Sequence, residues 1–181
     1  MLISLWLPIV LCTAVLFLLS FLFWAVSPHH KPDVRQWPDE EALLEFVRRS
    51  DAQPQQYMFP LIAEADYKNP DAIERYNNGP WGMLVLWPAK SNMAMNMIKT
   101  VTLLLVITCT VAYVGLLTLP AGTSFAGVFH VIGIVAVLAH TTGGMLNEVW
   151  FSKPLRAKAM NALDGVVYGL VTALLMAWLW P

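Results

Sequence analysis

Residues 98–147 read IKTVTLLLVITCTVAYVGLLTLPAGTSFAGVFHVIGIVAVLAHTTGGMLN. The run carries one charged side chain, Lys99, at its start, and Pro120-Ala121-Gly122-Thr123-Ser124 splits it into two apolar stretches, Ile98–Leu119 and Phe125–Asn147. Each is about long enough to cross ~30 Å of hydrocarbon at ~1.5 Å per helical residue. So short a link makes the two antiparallel neighbours. Outward from this hairpin, Leu2–Val26 and Ala162–Trp180 are similarly apolar. The expected fold is an all-α membrane protein: four transmembrane helices (1–26, 98–119, 125–147 and 161–180) with a small, mostly helical insert between helices 1 and 2.

The composition agrees. Of 181 residues, 57% are hydrophobic and 13% charged, and the net charge is −1. With a mean hydropathy of +0.58, this describes an integral membrane protein whose bulk charge favours no nucleic acid. Cys12 and Cys109 fall inside spans and read as small packing residues. The first span lacks a basic leader, and its apolar run exceeds the ~7–15 residues of a cleaved signal, so it is expected to be retained. Pro8 either kinks it or sits harmlessly in its first turn.

Charge sets the orientation. Lys and Arg occur only in the connections 27–97 and 148–160 and at Lys99. Lys99, Lys153, Arg156 and Lys158 lie close to span ends, where the positive-inside rule counts them, so both connections are expected to be cytoplasmic and both termini periplasmic, in a bacterial inner membrane. The belts agree: Trp6, Trp178 and Trp180 belong to one interface, Trp24 and Trp150 to the other.

The 27–97 insert is rich in proline. Asp39 caps a helix near 39–50, whose first turn holds Glu40 and Glu41 and whose last holds Arg48 and Arg49. A second helix near 70–78 starts at Asn69-Pro70 and stops at Asn77-Asn78-Gly79. The runs 57–62 and 83–87 pair as short strands or lie against the bilayer interface. The insert is small for a core of its own and is expected to rest on the membrane face or a partner.

Gly165, Gly169, Ala173 and Ala177 recur every fourth residue in the last span, a groove for close helix approach, with Gly133 and Gly144 as counterparts in the third. Asp164 is expected to pair with Lys99 or Lys158, or to cap a neighbouring helix near the cytoplasmic rim. His130 and His140 are the ionisable residues deep in the third span, about 15 Å apart along it, too far for one compact cofactor. Ala126 and Ala136 each precede one of them by a turn, leaving room for a flat macrocycle. This Ala-x-x-x-His spacing resembles the pigment-ligating pattern of bacterial light-harvesting helices, and makes bacteriochlorophyll or haem the alternative to no cofactor at all. His29-His30 has no third metal ligand spaced for it and reads as two solvated loop histidines. Met93, Met95 and Met97 read as packing residues rather than a soft-metal site. No phosphate loop, metalloprotease helix, nucleophile elbow or zinc-ligand motif is present.

Tyr57-Met58-Phe59-Pro60, Gly79-Pro80-Trp81-Gly82, Trp150-Phe151-Ser152-Lys153-Pro154, Asp164-Gly165 with Tyr168-Gly169, and the Trp178-Leu179-Trp180-Pro181 end together resemble a family of uncharacterised four-span bacterial inner-membrane proteins. That resemblance implies the architecture and no activity. The expected function is a non-enzymatic accessory or assembly subunit of a larger membrane complex, with the bilayer and other membrane subunits as partners. A pigment- or haem-binding protein, for example in a photosynthetic core complex, and a small transporter are the alternatives.

The orientation is directly testable. An alkaline phosphatase reporter fused at residue 52 should be inactive and a cytoplasmic fluorescent reporter at the same place active; the reverse pattern refutes it.

Overall fold

The computed structural model describes residues 2–181. In chain order the elements are α1 (Trp6–Phe21), α2 (Glu40–Arg49), β1 (Gln56–Phe59), α3 (Pro70–Asn78), β2 (Gly82–Val85), α4 (Met93–Thr118), α5 (Phe125–Trp150) and α6 (Leu155–Trp178). Four helices are long and apolar enough to cross a membrane: α1 with its flanking turns (Ile3–Val26), α4, α5 and α6. The chain is a multi-pass membrane protein. Helices suit the hydrocarbon because they satisfy their own backbone donors and acceptors without water. Buried threonines follow the same rule: Thr13 donates to the Ile9 carbonyl and Thr108 to that of Leu104, each at 2.8 Å within its own helix. Pro8 lies in the first turn of α1, where its missing N–H has no intrahelical partner to lose.

The described residues form two units, residues 2–35 with 93–181, and residues 36–92. In the membrane unit, α1 leans on α4 and α6, and α5 on α4 and α6. Its apolar core gathers Leu5, Ile9 and Cys12 with Val111, Ile132, Ala173 and Met176. All of these lie in the half of the bundle that holds the 120–124 turn. At that end the Trp180 indole N–H donates to the Pro120 carbonyl (3.2 Å) and the Gly122 N–H to the Pro181 carbonyl (2.7 Å).

The tightest approach is between α5 and α6. A Cβ on Gly169 would lie 2.5 Å from the Val137 backbone nitrogen, and one on Gly165 2.8 Å from the His140 carbonyl oxygen. Gly133 faces Ala173 at an ordinary 3.5 Å, and Ala173 is fully buried. Gly144 takes no part, contrary to expectation: nothing comes within 4 Å of its Cβ position. Near that end Asn161 reaches Glu148 by side chains instead.

Helix ends depart from the apolar boundaries. The 148–160 connection contracts to 151–154, because α5 runs on to Trp150 and α6 begins at Leu155. Arg156, Ala157, Lys158 and Met160 are good helix formers whatever their polarity. The chain turns where Ser152 adopts a left-handed conformation (φ 50°) and the Lys153 N–H reaches back to the Glu148 carbonyl at 3.0 Å, with Pro154 after it. For the same reason α4 starts at Met93 rather than at residue 98. Residues 27–35, expected in the insert, belong to the membrane unit.

In the 36–92 unit, Asp39 accepts from the Ala42 N–H to cap α2, and Asn69 accepts from the Asp71 N–H to cap α3. Gly79 ends α3 at φ 65°, with the Trp81 ring 3.1 Å from where a Cβ would stand. The strands pair antiparallel, Gln56 with Val85 through Phe59 with Gly82. Gly82 is needed there, since a Cβ would strike the Phe59 ring at 2.5 Å. Ala72 is the one buried residue among 36–92.

Replacing Gly169 with leucine should force α5 and α6 apart and cost about 1–3 kcal/mol or more. Gly144→Ala should cost nothing measurable. Thermal unfolding of both variants in detergent checks the contrast, and equal effects would contradict this packing.

Candidate functional site

The last turn of the first membrane span is wide: the Ser27 N–H bonds the Leu22 carbonyl five residues back at 2.8 Å. A tight 3₁₀ stretch, Pro28–Asp33, follows, with proline at its start where no N–H is required. Wide turns of this kind are common at functional sites because they re-aim side chains. Here the change of winding directs two adjacent histidines at one carboxylate on α6. His29 Nε2 lies 3.0 Å from Asp164 Oδ1, and His30 Nε2 lies 2.8 Å from Asp164 Oδ2.

Each histidine is also held from behind. His29 Nδ1 is 2.6 Å from Ser27 Oγ, and His30 Nδ1 is 2.7 Å from Asp33 Oδ2. Arg156, in the first turn of α6, donates to Asp33 Oδ1 and to the His29 carbonyl oxygen, both at 2.6 Å. The polar chain thus runs Ser27–His29–Asp164–His30–Asp33–Arg156, from the end of the first span through the 3₁₀ stretch to α6. The His30 and Asp164 side chains are 3% and 6% exposed, so these groups have left water and depend on one another.

Aromatic rings enclose the cluster. Trp24 stacks on His30 with centroids 3.9 Å apart and planes 8° from parallel. Phe23 meets His29 edge-on at 5.3 Å and stacks on Tyr168 at 5.7 Å. Trp24, expected as a belt residue, therefore also covers the polar site. Beside His29 and Asp164 opens a groove of about 410 Å³ whose other walls include Leu22, Phe23, Leu163 and Val167.

Burial alone would lower the pKa of His30, but the Asp164 and Asp33 carboxylates outweigh it and hold the pKa above the usual histidine value. The His30 hydrogen bond first, and the nearby Arg156 charge, hold the Asp33 carboxyl below the usual carboxylate range. With a carboxylate at each ring nitrogen, His30 as imidazolium donates in both directions. A metal ion is the other species this donor set suits: His29, His30 and Asp164 each offer a ligand atom, all within 4.8 Å of one another.

Several expectations are corrected here. His29 and His30 are not two solvated loop histidines, because the 3₁₀ stretch packs them onto α6. Asp164 pairs with them rather than with Lys99 or Lys158. Arg156, read as an orientation signal, also ties this stretch to α6, while Lys153 pairs with Glu148 at 2.9 Å. Their shared partner escapes a reading of the sequence because it lies 134 residues away from His30 in the chain. One signal for it was present: Asp164 is the lone carboxylate within the apolar spans, placed on the same membrane side as His29-His30.

His130 and His140 remain apart. His140 Nε2 is buried without a partner, its ring edge-on to Tyr168 at 5.8 Å. Ala136, expected to leave room for a macrocycle below His140, is fully buried in the core. A flat ring cannot lie there. Ala126 and His130 are exposed, and His130 borders a groove of about 400 Å³ with Phe129, Ile134 and Leu170. Met93, Met95 and Met97 are exposed on α4, and their two-residue spacing points successive ones to opposite sides. They do not converge on a metal.

No protein-family model, no curated protein and no solved structure matches this chain.

Asp164→Leu should leave two histidines without their acceptor and lower stability by about 3 kcal/mol, as breaking buried ion pairs does. Lys99→Gln and Lys158→Gln should leave it unchanged. Unfolding midpoints of the three variants in detergent decide; a loss in either lysine variant matching that of Asp164→Leu contradicts the pairing described.

Proposed function

We propose that this chain is a non-enzymatic accessory or assembly subunit of a larger complex in a bacterial inner membrane, of the uncharacterised four-span kind it resembles. The observation that carries this is the character of the 36–92 unit. It buries Ala72 alone, yet Trp37, Phe46, Leu61, Trp81 and Trp87 are each 59–70% exposed. A unit this poor in core and this rich in exposed aromatic surface gains stability by covering that surface. Trp and Tyr are also the residue types that dominate protein interfaces. On the charge map this unit is cytoplasmic, and the termini are periplasmic.

The pigment or haem alternative retains His130 alone, since the space below His140 is filled. A Soret or bacteriochlorophyll band in the purified protein would revive it. The transporter alternative rests on Asp164, whose carboxylate is engaged by two histidines.

Native electrophoresis of gently solubilised membranes, with the protein at native abundance, tests the proposal. The wild type should migrate in an assembly larger than a monomer, and Trp81→Ala with Trp87→Ala should release it. A free monomer at native abundance would overturn the accessory role.

A further inference from the structure

The geometry points to a divalent transition-metal site, zinc in the first instance, formed by His29 Nε2, His30 Nε2 and the Asp164 carboxylate. Three features carry this independently of the accessory role. First, the donor set is chemically apt: two imidazoles and a carboxylate are a common three-ligand set for zinc that retains an open position. The atoms already converge, and at metal–ligand lengths of about 2.0–2.1 Å neighbouring ligands stand about 3.3 Å apart. His29 and His30 sit 3.0 and 2.8 Å from the two oxygens of Asp164, and all three donors lie within 4.8 Å of one another, so side-chain adjustments alone can bring them onto one ion.

Second, the outer shell is in place. Histidines that bind metal through one nitrogen generally donate the other N–H to a carboxylate or another oxygen, which fixes the tautomer and the aim of the ring. Asp33 does this for His30 and Ser27 for His29. Arg156 in turn holds Asp33 in position. A solvated pair of loop histidines has no need of such backing. A simple ion pair would need one histidine facing Asp164, whereas here two divide its oxygens between them.

Third, the cluster is screened by Trp24 and Phe23 on two sides, while the groove of about 410 Å³ meets His29 and Asp164. A water or a small anionic ligand that completes the shell would reach it through this groove, which two of the three ligands border. Because its remaining walls include Leu22, Phe23, Val26, Leu163 and Val167, a ligand bearing an acyl chain suits the groove better than a sugar or nucleotide. On loading, the metal takes the place of the hydrogen bonds between the two histidines and Asp164, and any proton on a ligating nitrogen passes to solvent.

The test uses the full chain in detergent, purified without a polyhistidine tag, stripped with a chelator and titrated with zinc chloride by calorimetry, and with cobalt chloride by visible absorption. One metal ion per chain is expected, with the cobalt spectrum of a four- or five-coordinate site. His29→Ala with His30→Ala should weaken binding at least 100-fold. Asp33→Asn, which keeps all three ligands, should weaken it about 10–100-fold, as loss of outer-shell partners does. Cys109→Ala should leave the titration unchanged. Absence of saturable binding by the wild type, a six-coordinate cobalt spectrum, or undiminished binding in the double histidine variant would each overturn the site. Because the wild-type titration and spectrum stand alone, the inference is decided even if the double variant does not fold.

Discussion

How closely α5 and α6 approach governs the charged end of this molecule. In lipid no hydrophobic force drives helices together, because acyl chains are as apolar as the side chains. Attraction comes from dispersion, which weakens within an ångström of separation. Gly165 and Gly169 therefore matter for what they lack: without Cβ atoms there, α6 meets the backbone of α5 near Val137 and His140. Asp164 adjoins Gly165, and adjacent helical residues diverge by about 100°. With Gly165 committed to α5, the carboxylate is turned toward the chain leaving the first span, where His29 and His30 arrive.

That meeting resolves an electrostatic problem. A carboxylate this deeply covered is costly without compensation. The distant lysines do not supply it. Two imidazoles do, and a second carboxylate and a guanidinium complete the balance. Trp24, lying flat on His30, favours a cation beneath it as well as excluding water.

The spans, their order and the two short helices of the insert were legible in the sequence because they follow from local pattern, whereas its two apolar runs left strand pairing and an interfacial position equally open. Apolar runs reveal which residues enter hydrocarbon, and Asp39 and Asn69 mark helix starts. Helix ends were less legible, because Leu155–Met160 and Met93–Met97 have the propensity to continue a helix although too polar or too short to extend a span. The His29–His30–Asp164 cluster was least legible. It depends on winding: the same residues on a regular helix would send neighbouring histidines about 100° apart. The sequence carries no motif for the wide turn at Leu22–Val26 followed by a 3₁₀ turn. Gly144 misled for a related reason, since a small-residue stripe reveals a possible seam but not where two helices part.

The wide turn has one more consequence. By accommodating an extra residue between Leu22 and Val26, it puts the chain beyond it out of azimuthal phase with α1. The face that the first span turns toward its neighbours therefore does not dictate where the two imidazoles point: the wide turn sets their aim on α6.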